Sequence, residues 1–111
     1  MLTIKKSNEF QNAFQHGKWY HAECLVIYVN KNNLETNRIG IAVGKKIAKS
    51  VKRNRIRRVI REAYRSMENQ LLQGYDIIIV WKNGVDMENA CFLKVEENLA
   101  SAFKKANLLM E

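Results

Sequence analysis

This sequence predicts an α/β (α+β) sandwich, a small mixed four-stranded sheet with three helices packed on it, in the order α-β-β-β-α-β-α. Three observations carry that prediction. Apolar residues repeat at helical spacing in three segments and at strand spacing between them. The strands around Ile39 and Ile77 are separated by a helix-bearing connection, which makes them parallel. The turn-rich NKNNLETN, Asn30 to Asn37, is expected to pair the strands on either side of it antiparallel, so the sheet is mixed.

Each element has its own signal. Ser7 is the expected N-cap of a first helix that stops at Gly17, with Phe10, Ala13 and Phe14 as its apolar face. Lys18 to Tyr20 is a candidate edge strand. CLVIYV follows, with Leu25, Ile27 and Val29 facing one way and Cys24, Val26 and Tyr28 the other. In RIGIAVG, Ile39, Ile41 and Val43 fill one face, while Gly40, Ala42 and Gly44 leave the other nearly bare. A bare strand face admits a close neighbour, either a helix or a nucleic-acid backbone. Ser50 is the expected cap of the central helix, whose stripe runs through Ile56, Val59, Ile60, Ala63, Tyr64 and Met67. Gly74 ends that connection, YDIIIVW reads as a buried strand, and Gly84 closes it. A last amphipathic helix is expected from about Met87 to Leu108, on Phe92, Val95, Leu99, Ala102, Phe103 and Ala106.

A chain of 111 residues, 47% of them hydrophobic, fits one domain, residues 1–111, with one modest core. No apolar run approaches the roughly 20 residues of a membrane span, and the N-terminal stretch lacks the apolar region of a signal peptide. Cys24 and Cys91 stand far apart without metal-ligand spacing and are expected to be buried thiols in a cytoplasmic protein.

The charge is concentrated. Of a net +8, residues 45–65 hold ten Lys or Arg against Glu62 alone, while the remainder holds nine basic and ten acidic residues. On the central helix Asn54, Arg58, Arg61 and Arg65 lie opposite the apolar stripe, Arg55 and Arg57 flank that face, and Arg53 lies nearer the apolar boundary. Solvated helices usually mix signs at i, i+4, and this face does not. Lys52 and Arg53 also fall in the first turn, where the helix dipole disfavours cations. Such consistent breaking of local rules points to a polyanionic ligand, and the excess of arginine suits bidentate phosphate contacts. A strand before the helix argues against helix-turn-helix DNA recognition. A membrane-surface role conflicts with a stripe needed for the core. His16, His21, Asp76 and Asp86 form no paired catalytic or metal set, so a self-contained nuclease is not expected. An RNA-binding structural protein of the ribosome would also suit these features.

GIAVGKKIAKSVKRNRIRRVIREAYR, Gly40 to Arg65, closely resembles the signature segment of the bacterial ribonuclease P protein subunit, with its Arg-Asn-Arg motif at Arg53-Asn54-Arg55. The resemblance extends through Phe10 to Lys18, the LVIYV strand, Gly74 to Val80 and the closing helix. It implies a protein that binds a large catalytic RNA, one to one, and helps it remove the 5′ leader of precursor tRNA. The catalytic Mg2+ is then held by the RNA, with no protein active site and no cofactor assigned to the protein itself. Lys45, Lys46, Lys52, Arg53, Asn54, Arg55, Arg57, Arg58, Arg61 and Arg65 are implied to contact RNA, and Phe10, Phe14 and Tyr28 to line a cleft for the leader. The family's left-handed crossover is expected around the basic helix. Where relatives often carry a serine pair, this chain has Ala42 and Gly44, which removes any hydroxyl contact there. An aromatic sometimes found near the C-terminus is replaced by Leu108 or Leu109.

Overall fold

The computed structural model describes residues 2–4, 6–44, 49–83, 85 and 91–110. The elements run β1 (Leu2–Thr3), α1 (Ser7–His16), β2 (Lys18–His21), β3 (Leu25–Lys31), β4 (Arg38–Ala42), α2 (Ser50–Met67), β5 (Tyr75–Trp81) and α3 (Phe92–Lys105). They build a mixed sheet of five strands in the order β1-β4-β5-β3-β2. The additional strand is β1, two residues paired parallel to Arg38 and Ile39, too short for any periodicity to show.

The predicted pairing across Asn30 to Asn37 is not formed. β5 lies between β3 and β4, antiparallel to the first and parallel to the second. The connection instead clasps the start of β5. The Asn37 side chain donates to the Leu72 carbonyl (2.9 Å) and accepts from the Tyr75 N–H (2.9 Å). The Asn32 amide donates to Asp76 Oδ1 (3.0 Å). The two Asn37 bonds satisfy backbone groups of the chain leading into β5.

Alternation assigns the two sheet faces. Leu25, Ile27, Ile39, Ile77 and Ile79 pack under α2 and α3 in the main core, with Ile56, Ile60, Tyr64, Leu99 and Phe103 among their partners. Ile78 joins Ile4 and Ala13 in a smaller core under α1, where Phe10, Tyr28 and Val80 are partly buried. The stripe expected on α2 is the buried one, with Val59 partly buried at its margin.

Some local expectations shift. The caps are Lys6 and Lys49 rather than Ser7 and Ser50, each serine being the first helical residue. At α1 the Glu9 carboxylate takes over part of the capping, accepting from the Lys6 N–H at 3.2 Å. α3 is described from Phe92, and Gly84, Asp86 and the expected start near Met87 lie outside the described residues. Asn98, unforeseen on its buried face, accepts from the Cys24 N–H (2.7 Å) and donates to the Lys94 carbonyl (2.8 Å). Cys24 is buried, which pushes its thiol pKa up, but Cys91 is exposed, because it precedes α3 instead of facing the core.

Candidate nucleic-acid interface

Two surfaces carry the residues singled out by the sequence, and β4 lies between them. The first is α2. Its N-cap, Lys49, has no side-chain acceptor to offer, so the N–H groups of the first turn are not capped by it. No acidic residue offsets the dipole there. Lys52, Asn54, Arg55 and Arg58 line a shallow concavity of about 530 Å³ together with Val51, which is 78% exposed. Asn54 accepts a hydrogen bond from Arg57 at 2.9 Å, which leaves its amide N–H groups to donate elsewhere. Arg53 is half-buried, as its place near the apolar boundary predicts, and its Nε is buried with no protein acceptor among the described residues. Arg65 is exposed on the same helix. Lys45 and Lys46 lie outside the described residues.

α2 does not present one uniform face. Arg61, and Arg57 beside its bond to Asn54, line a separate groove of about 230 Å³ with Phe10, Gly40, Ile41, Thr3 and Ile4. That groove opens at the β4 edge of the sheet, toward the second surface.

The second surface is the α1 side of the sheet, where register sorts side chains into three rows. Arg38, Asp76 and Asn30 form a polar row. The Arg38 guanidinium grips Asp76 through two bonds, 2.8 and 2.6 Å, and also bonds the Glu9 carboxylate of α1. Its hydrogen bond to Asp76, against the opposing effect of burial, raises the arginine pKa. Burial alone would raise the Glu9 carboxyl; the Lys6 N–H and the Arg38 guanidinium outweigh it and hold the group below the ordinary carboxylate range. Asp76, assigned to no catalytic or metal set from the sequence, is thus a buried anchor that holds α1 through Arg38.

Gly40, Ile78, Tyr28 and Trp19 form the next row. The bare face at Gly40 admits the helix: a Cβ there would stand 2.6 Å from the Phe10 ring. Phe10 is therefore packed against the sheet, whereas Phe14 is 40% exposed and meets the Tyr28 ring edge-on at 4.7 Å. The last row, Ala42, Val80, Val26 and His21, is half-buried or exposed and forms an open shelf beside that aromatic pair. Of the shelf residues only Ala42 was singled out in the sequence; Val80, Val26 and His21 were missed as site residues, although counting by twos from Tyr28 along β3 reaches Val26. Among the described residues no three His, Cys, Asp or Glu side chains converge, and no helix is long and apolar enough to cross a membrane.

A basic helix on one side of a sheet edge and an aromatic shelf on the other can be compared with known proteins. The ribonuclease P family model matches residues 2–107. This chain belongs to the ribonuclease P protein family. The ribonuclease P protein component of Clostridium botulinum is 37% identical over 106 residues, covering 95% of this chain and 94% of that protein. The Staphylococcus aureus RNase P protein structure superposes with a TM-score of 0.86 at 28% identity, covering 98% of each chain. That of Thermotoga maritima gives 0.84 at 27% identity, covering 95% of this chain and 97% of the other. As a ribonuclease P protein the chain is a component of an endoribonuclease holoenzyme, with the mixed sheet and three helices of the family fold.

Proposed function

We propose that this ribonuclease P protein binds the catalytic RNA through α2 and the single-stranded 5′ leader of precursor tRNA on the shelf beside α1, in the cytoplasm and as one copy per RNA. The observation that carries this reading is the pairing of an arginine face with no carboxylate ion pair among the described residues and an open aromatic shelf on one small body. In this reading magnesium ions held by the RNA supply the hydrolytic chemistry, and the protein's residues bind, orient and screen.

The physical reason for such a subunit is electrostatic. A polyanionic leader brought against a polyanionic ribozyme is repelled, and a cationic body between them lowers that cost. Lys52, Arg55 and Arg58, with the donors of Asn54, suit phosphate oxygens. Phe14 and Tyr28 offer ring surface for unpaired bases, while Phe10 packs against the sheet at Gly40. Binding a leader that only the precursor has favours precursor over mature tRNA.

The test is reconstitution with a cognate catalytic RNA. Precursor cleavage at low magnesium is expected to rise when the protein is added, and no gain would overturn the reading. Cleavage by the protein alone would replace it with an autonomous nuclease.

A further inference from the structure

Trp19 is placed as few tryptophans in a folded domain are. It is 57% exposed, whereas Trp81, the other tryptophan of the chain, is 1% exposed. Burial of an indole is normally a large favourable term, so an exposed one has no folding reason of that kind. Its position is fixed by the ladder: Trp19 lies directly across from Tyr28, and side chains opposite each other in an antiparallel pair share a face. That face is the α1 side, so Phe14, Tyr28 and Trp19 lie on one face in that order from helix to sheet edge. His21, two residues along β2, meets the indole edge-on at 4.7 Å, which braces it upright without covering it. Charge at the same edge lies on the other face of the sheet: Lys18 shares a concavity with Tyr20 and Val29, and the Lys105 ammonium of α3 donates to the His21 carbonyl at 2.7 Å.

We infer that Trp19 is a base-stacking residue which extends the leader track by one step beyond Phe14 and Tyr28. This rests on the reading of the shelf as the leader site and adds a subsite to it. Aromatic stacking tolerates any base, so Trp19 would read the length of the leader more than its sequence. His21 acts through Trp19 as a positioning residue. The exposed alternation of β2 makes the contact independent of the core, because the main core takes Tyr20 on the other face of the same strand.

The experiment compares holoenzymes carrying wild-type protein, Trp19→Ala, Trp19→Phe and Phe14→Ala on precursors whose leader grows one nucleotide at a time. Wild type is expected to gain affinity in a step when the leader reaches the β2 edge. Trp19→Ala should lose that step, roughly fivefold or more, with short-leader affinity and melting temperature unchanged. Trp19→Phe should retain most of it, and an abasic nucleotide at that step should cost nothing further in Trp19→Ala. Equal losses on short and long leaders would make the role structural and overturn the inference. An unchanged step in Trp19→Ala with a loss in Phe14→Ala overturns the inference alone. No loss in either variant overturns the shelf reading with it.

Discussion

Phe10 and Phe14 stand one turn apart on α1, and helical periodicity treats them as equals. What separates them is Gly40, whose missing side chain leaves room for the Phe10 ring alone. Phe10→Ala is therefore expected to lower stability by about 2–3 kcal/mol, measured by denaturant unfolding. Phe14→Ala should leave the melting temperature nearly unchanged and weaken leader binding. The same close approach predicts that Gly40→Ala destabilises by about 1–3 kcal/mol through overpacking. Combined with Phe10→Ala it should cost less than the sum, because the added methyl then has room. The RIGIAVG motif showed that something approaches Gly40, but single-sequence spacing could not say whether helix or RNA arrives there. Glu9 adds a pH dependence with a definite sign. Its carboxyl pKa lies below the ordinary value in the folded protein, so its contribution is present above the ordinary carboxylate range and is lost as pH falls through the lowered value. Glu9→Gln should flatten that part of the acid-stability profile, as followed by thermal melts between neutral pH and pH about 3.

At the scale of elements, α2 was the most legible part of the chain. Eighteen residues give the helical period enough turns to separate stripe from face, and the buried residues Ile56, Ile60, Ala63, Tyr64 and Met67 are those the period selects. β1 was invisible because two residues carry no period, and its pairing depends on an edge left open by β4. The neighbour of β3 was misjudged for a related reason. Turn-forming residues announce a change of direction but not which strand lies alongside, and the side chains of Asn32 and Asn37 hold the connection across β5. Division of labour within α2 yields a mutational contrast. Ile60→Ala should cost about 2–5 kcal/mol by leaving a cavity. Arg58→Ala should leave stability within about 0.5 kcal/mol and weaken binding to the catalytic RNA. With one phosphate fewer neutralised, the salt slope should fall by roughly 0.7–0.9, so binding measured across a salt series checks it.

The two surfaces of the whole molecule are joined at the β4 edge, where Arg57 and Arg61 share a groove with Phe10 and Gly40. The family resemblance placed all the α2 cations in one RNA-contacting set, and a helical wheel has no knowledge of which side the sheet edge lies on. The fold divides that set. Arg55 and Arg58 look out from the concavity on the helix, away from the shelf. Arg61 sits where RNA bound on α2 and a leader lying on the shelf would come closest, and where their repulsion would be greatest. A cation at that junction should act on both ligands at once, while a cation remote from it should act on one. Arg58→Ala is thus expected to weaken assembly with the catalytic RNA but, once the holoenzyme is saturated, to leave precursor affinity unchanged. Arg61→Ala should weaken assembly and also lower the affinity of the saturated holoenzyme for precursor, without a matching loss for mature tRNA, which has no leader to repel. Measuring both dissociation constants for each variant separates the cases. Equal behaviour of Arg58→Ala and Arg61→Ala in the saturated complex would show that the groove at β4 does not couple the two surfaces.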